Sequence, residues 1–135
     1  MDVLDRFSGS ESPLKALHAV CGSDEIIALQ GAVGTVYCSR EVRSYVATLA
    51  AATRSHPALQ LGVSPRGAIA LIRAAQAVAM LFGREYILPD DVRQMALPVL
   101  SHRLILTSEA RMKGVSAEEV LRHIIDTQPV PGAKG

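Results

Sequence analysis

The run from Ser64 to Gly83 constrains the fold more than any other part of the chain. It opens Ser-Pro-Arg, continues GAIALIRAAQAVAMLF and stops at a glycine. A serine at a helix cap accepts a hydrogen bond from one of the N–H groups the first turn leaves unpaired, and proline in that turn has no N–H to waste. Glycine is a natural terminator. Between these signals the residues are apolar on nearly every face, which predicts the buried central helix of a bundle. Arg73 and Gln76 interrupt the apolar stretch 67–83. It is too short and too polar for the roughly 20 residues a membrane span needs.

The remaining segments read as partners for such a helix. In 135 residues there are 19 alanines, 49% apolar residues, 4% aromatics and no tryptophan. That composition favours closely packed helices over a β-sandwich, and the length suits one domain of roughly 100–150 residues. Residues 1–12 are short and polar and end in SGSES, a flexible connector after an initial LDRF. From Pro13, Leu14, Leu17, His18 and Cys21 fall at helical spacing, and Ser23-Asp24-Glu25 opens a second helical run that stops around 31–34. TVYC at 35–38 is an extended link. Ser39 then caps an amphipathic helix to about Arg54, with Val42, Tyr45, Val46 and Leu49 on one face.

A loop is expected over 56–62 and an extended segment over 85–88. Pro89-Asp90-Asp91 starts a helix through Val92, Met95, Ala96 and Leu100, its two aspartates suited to the positive end of the helix dipole. Ser116 and Glu119 form a capping box before the apolar face of Val120, Leu121, Ile124 and Ile125. The tail PVPGAKG is expected to fray. The predicted architecture is an all-α bundle of four to six helices over 13–127, flanked by 1–12 and 128–135, with at most short extended links.

Several function classes are disfavoured at once. Fourteen Lys+Arg against 13 Asp+Glu leave a net charge of +1, with no field strong enough to make nucleic acid or an anionic membrane the main partner. Cys21 and Cys38 form no disulfide framework, which suits free thiols in a reducing cytosol and a cytoplasmic location. His18, His56, His102 and His123 are scattered without a metal-ligand spacing, so no metal site is expected. No GxxxxGK[ST] cradle is present, so this chain by itself lacks the means of holding a triphosphate with magnesium. Gly31 and Gly34 read as a helix end. No self-contained active site emerges.

One cluster is informative. LGVSPRGAIALIRAAQAVAMLFGREYILPDDV at 61–92, then LPVLSHRL at 97–104, preceded by YVATLAAATRSHP at 45–57 and PLKAL at 13–17, resembles the C-terminal lid domain of the MoxR family of AAA+ ATPases. The likeness extends over about nine-tenths of the chain and rests on ordered motifs at compatible spacings. It implies that Arg66, placed by Ser64 and Pro65, is similar to the sensor 2 arginine that reads the nucleotide's terminal phosphate. The residue type fits, because a guanidinium at a helix amino end is a permanent, bidentate phosphate donor that lysine does not reproduce. The plainer alternative is a solvated arginine on a first turn.

The resemblance further implies that Arg6 in LDRF is an arginine finger acting on the neighbouring subunit's nucleotide. Here the chain departs from the family, with only SGSES before PLKAL where a further helix is expected. ATP and magnesium are implied for the parent protein. So are its own ATPase core and neighbouring subunits of a hexamer as partners, von Willebrand factor A-domain proteins, and a chaperone-like assembly or activation role. Arg84, Tyr86, Asp90 and Asp91 read first as turn and capping residues. Leu88 replaces a usual Thr cap, His102 and Arg103 read as an interior polar bridge ahead of ligand contact, and Arg40, Arg43 and Arg54 as a solvated face, with subunit contact the sharper alternative. Two other readings compete: a histone-fold-like DNA-binding or dimerisation module, against which the charge counts, and a free-standing helical adaptor for protein contacts.

Overall fold

A computed structural model describes residues 17–132. The chain divides at Gly31/Ala32, and the two sides are described separately. On the first side residues 17–22 are not helical, contrary to the expected run from Pro13. Val20 is fully exposed, so no apolar burial repays the entropy of winding a short helix there. Pro13, like Arg6, lies outside the described residues. The first helix, α1 (Ser23–Val33), starts where Ser23-Asp24-Glu25 predicts, and Glu25 reaches back to accept the Gly22 N–H at 2.7 Å.

The second side holds the core, built from α2 (Arg40–Ser55), α3 (Pro65–Leu81), α4 (Pro89–Leu100) and α6 (Ala117–Thr127). A short α5 (Ser108–Met112), which periodicity did not reveal, precedes α6. Each start has its own cap. Ser39, Ser64, Thr107 and Ser116 accept N–H bonds from Val42, Gly67, Ala110 and Glu119, and the Glu119 carboxylate returns to the Ser116 N–H at 2.8 Å. Gly83 adopts φ of 68°, and the Gly83 and Arg84 N–H groups close on Met80 and Ala79 carbonyls, ending α3 as expected.

Leu49, Leu71, Leu100 and Leu121, one from each core helix, are almost completely buried. Helix α3 packs mainly on α4 and also on α2. It is not covered all round, however: Ile69, Leu81 and Phe82 are exposed although the apolar pattern predicted full burial. Residues 56–62 are not simply a loop either. Strand β1 (Leu59–Leu61) pairs antiparallel with β2 (Ile105–Leu106) across an irregular register, and the Thr107 N–H adds a bond to the Ala58 carbonyl. Tyr37 and Tyr86 form an isolated parallel bridge between the two extended links. Val130 and Pro131 are half-buried. Among the described residues no helix is long and apolar enough to cross a membrane.

Candidate functional site: the amino end of the central helix

The site begins with how residue 63 is held. At the carboxyl end of α2, Thr53 is fully buried on the apolar stripe, a position that obliges its hydroxyl to find partners. It donates to the Ala50 carbonyl at 2.7 Å and accepts the Val63 N–H at 2.9 Å. Its neighbour Arg54 donates from Nη1 to the Val63 carbonyl, also at 2.9 Å. Both backbone polar groups of Val63 are therefore fixed by consecutive residues of one helix. Gly62 makes the approach feasible. A Cβ there would stand 2.6 Å from the Arg54 backbone nitrogen, a separation no side chain tolerates.

From that clamp the chain turns directly into α3. Ser64 has extended backbone (φ −75°, ψ 163°) and its hydroxyl accepts the Gly67 N–H, while its carbonyl accepts the Ala68 N–H. Pro65 takes the first helical position and brings no donor. Arg66 follows on the exposed side, its guanidinium open to solvent beside the positive end of the helix. The structure thus brings Ser64, Pro65 and Arg66 together as a rigid, capped start.

A further residue closes in from the turn after α4. Buried Gly67 leaves space in which a Cβ would lie 3.0 Å from Val63 Cγ1 and 3.5 Å from Arg103 Cδ. The stem of Arg103 therefore crosses the first turn of α3. Arg103 and His102 are not the interior bridge the sequence indicated. They sit in a 3-10 turn, Ser101–Arg103, that sends Leu100 and Leu104 inward and leaves both polar side chains exposed, with Arg103 Nε donating to the Val99 carbonyl at 3.0 Å. Nor is Arg54 simply a solvated face, given its bond to Val63. Sequence periodicity gave no sign of Thr53 or Gly62, nor of the carbonyls that Arg54 and Arg103 hold. The one available signal was a threonine on a helix's buried stripe.

At the opposite end of α3, Asp91 is buried and receives Arg84 through two bonds, 2.6 and 2.8 Å, as well as the Leu88 N–H at 2.7 Å. Burial alone would push this carboxyl up. The Arg84 and Leu88 hydrogen bonds and the Arg84 charge outweigh it and hold Asp91 below the usual carboxylate range. Asp91 supplies the start of α4 with the cap that Leu88, lacking a polar side chain, cannot. Arg84 also lies over the Phe82 ring at 5.8 Å. Among the described residues no group of three or more His, Cys, Asp or Glu could hold a metal ion, and Cys21 and Cys38 are free thiols. Burial pushes the Cys38 thiol up, against the lowering effect of Arg43.

Four core helices carrying a small two-stranded ladder fit a helical lid of the AAA type. Residues 51–124 match the AAA lid domain family. The chain belongs to that family and is a lid domain of the MoxR type. It is 40% identical over 131 residues to the uncharacterized protein YeaC of Bacillus subtilis, a match spanning 97% of this chain and 41% of that one. It is 29% identical to the chaperone MoxR1 of Mycobacterium tuberculosis over 83% of this chain and 32% of that protein. A crystal structure from Cytophaga hutchinsonii, assigned as an ATPase, superposes with a TM-score of 0.87 at 26% identity, over 96% of this chain and 42% of that one. The chain thus spans about two-fifths or less of the length of these relatives. The family match sets the histone-fold reading aside.

Proposed function

We propose that this lid senses nucleotide for a MoxR-type AAA+ ATPase, with Arg66 as its phosphate-reading residue. The observation that carries the proposal is the rigid presentation of Arg66: a capped helix start whose preceding residue is clamped through both backbone groups to α2. The donor set suits phosphate, being a permanent cation beside the uncompensated end of a helix, with Ser64 already engaged as the cap. It does not suit magnesium, so the metal and the rest of the cradle belong on an ATPase core. Bound ATP with magnesium supplies the terminal phosphoryl group whose charge changes during hydrolysis. Arg66 binds that charge, Ser64 and Pro65 orient the turn, and the core of the lid transmits the resulting tilt through α3 to α2 and α4.

The name of MoxR1 supports a chaperone-like role for the whole protein, and the family supports assembly into a ring, which we take as a hexamer in the cytoplasm. Von Willebrand factor A-domain proteins are the proposed partners, the lid itself is proposed to run over 13–127, and Arg6 is proposed as the arginine finger in trans on its motif alone. The experiment replaces Arg66 by Ala in the whole protein. ATP affinity should fall about tenfold, the value of one charge-assisted bond to a phosphate, and hydrolysis should slow. Unchanged affinity together with unchanged hydrolysis would overturn the assignment. A free-standing adaptor would show that second outcome.

A further inference from the structure

We propose that a groove along the start of α2 and the two extended links binds a proline-rich, extended segment of a partner protein, and that this chain's own residues 129–131 lie in one end of it as a resident stand-in. This binding is separate from nucleotide sensing and stands whether or not Arg66 reads a phosphate.

The tail supplies the first ground. A proline cannot continue a helix, and it biases the residue before it toward extended backbone. Gln128, just before Pro129, accordingly has φ −83° and ψ 135°, close to polyproline II, and ends α6. Pro129, Val130 and Pro131 then border a cleft of about 590 Å³ against Glu41, Tyr45 and Thr48 of α2. Pro131 also borders a second cleft of about 350 Å³, with Tyr37, Glu41, Tyr86 and Pro89. Glu41 and Pro131 are common to both, so the two clefts form one groove. Among the described residues no backbone hydrogen bond ties 129–132 to another element. Side-chain contact alone seats the tail, and a segment of the same chemistry can displace it.

The second ground is that the groove is unfinished with the tail in it. Tyr45 is 3% exposed and its hydroxyl is buried without a hydrogen-bond partner, although nearly all buried polar groups have one. Polyproline II backbone makes no internal hydrogen bonds, so a bound segment brings free carbonyls that this donor lacks. At the other end Tyr37 and Tyr86, paired by the bridge between the links, are 64% and 52% exposed despite the presence of Pro131. Aromatic-lined grooves read proline-rich segments because such segments are extended before they bind and lose little entropy in binding. The tail of a second copy would cover no more of the tyrosines than this chain's own tail does, whereas a longer proline run reaches both ends. Charge sets its direction. Glu41 is the one charged residue bordering the second cleft, which favours a basic residue after the prolines. The chain's own order follows that pattern, with Lys134 three residues beyond Pro131.

The test titrates the full chain into a fluorescent peptide of three Pro-Val-Pro repeats followed by Gly-Ala-Lys, read by anisotropy. The control peptide has alanine at every proline. The parent chain should bind the proline peptide and bind the control about tenfold more weakly, because alanine frees the unbound peptide. Tyr45→Phe should lower affinity about threefold to tenfold, the value of one neutral hydrogen bond, while its melting temperature stays level or rises. Pro131→Gly loosens the resident tail and should raise affinity about threefold, since a competitor in the same chain is weakened. Equal binding of the two peptides, unchanged affinity in Tyr45→Phe, or no binding even by Pro131→Gly overturns the proposal. So does sedimentation that shows a concentration-dependent dimer abolished by Pro131→Gly, because the occupant is then the tail of a second copy.

Discussion

At the scale of single residues, the buried polar groups fall into two kinds. Asp91 is fully partnered, and its folded-state carboxyl titrates below the unfolded value near 4. Its contribution is therefore complete above that unfolded value and is lost as pH falls through the folded one. Thermal melts between pH 7 and pH 3 should show Asp91→Asn lowering stability at neutral pH and flattening the loss below about pH 4. Replacing Asp91 by Ala should cost about 2–3 kcal/mol, less than a fully buried pair because Arg84 keeps some access to water. Tyr45 is the other kind. Its hydroxyl is buried without a hydrogen-bond partner, so Tyr45→Phe should be neutral or stabilising by up to about 1 kcal/mol in denaturant titrations. Gly62→Ala must push Arg54's backbone aside and should destabilise by about 1–3 kcal/mol. Asp91 was visible in the sequence as a first-turn acid; its salt bridge to Arg84 was not, because the six intervening residues must first turn a corner.

At the scale of elements, starts were legible and surroundings were not. Ser39, Ser64 and Ser116 each cap the helix that their position before an apolar run announces, since a cap depends only on residues within one turn. Ser116→Ala should accordingly cost about 1 kcal/mol, read as a lower denaturation midpoint with unchanged slope. The β1/β2 ladder escaped notice for the opposite reason. Its strands are three and two residues long and lie more than 40 positions apart, so neither has enough alternation to be recognised alone. Helix α6 is the intermediate case. Its apolar face was plain, but the Arg93 bonds to the Ile125 carbonyl and the Asp126 carboxylate that finish its last turn come from α4.

At the scale of the whole molecule, stability rests on leucines donated by four helices. Leu121 is completely buried, and Leu121→Ala should cost about 2–5 kcal/mol, with a drop in melting temperature in the unliganded chain. If the cost were under 1 kcal/mol, α6 would not belong to the core. The proposed nucleotide-sensing role belongs to this scale too, because Arg66 could report on a phosphate only if α3 moves with α2 and α4 as one body. The packing of α3 on both neighbours is consistent with that requirement.

The sequence by itself determined where the four core helices α2, α3, α4 and α6 begin, which residues supply their apolar faces, and that Ser64-Pro65-Arg66 presents an arginine on a first turn. These are local matters of backbone donors, dihedral preference and period, complete within a few residues. Only the tertiary structure decided that Val63 is held through both its N–H and its carbonyl, that the stem of Arg103 lies beside Gly67, and that His102 and Arg103 face outward. Those arrangements join α2, α3 and α4, and they exist because burying leucines from all the core helices brings the ends of those helices together.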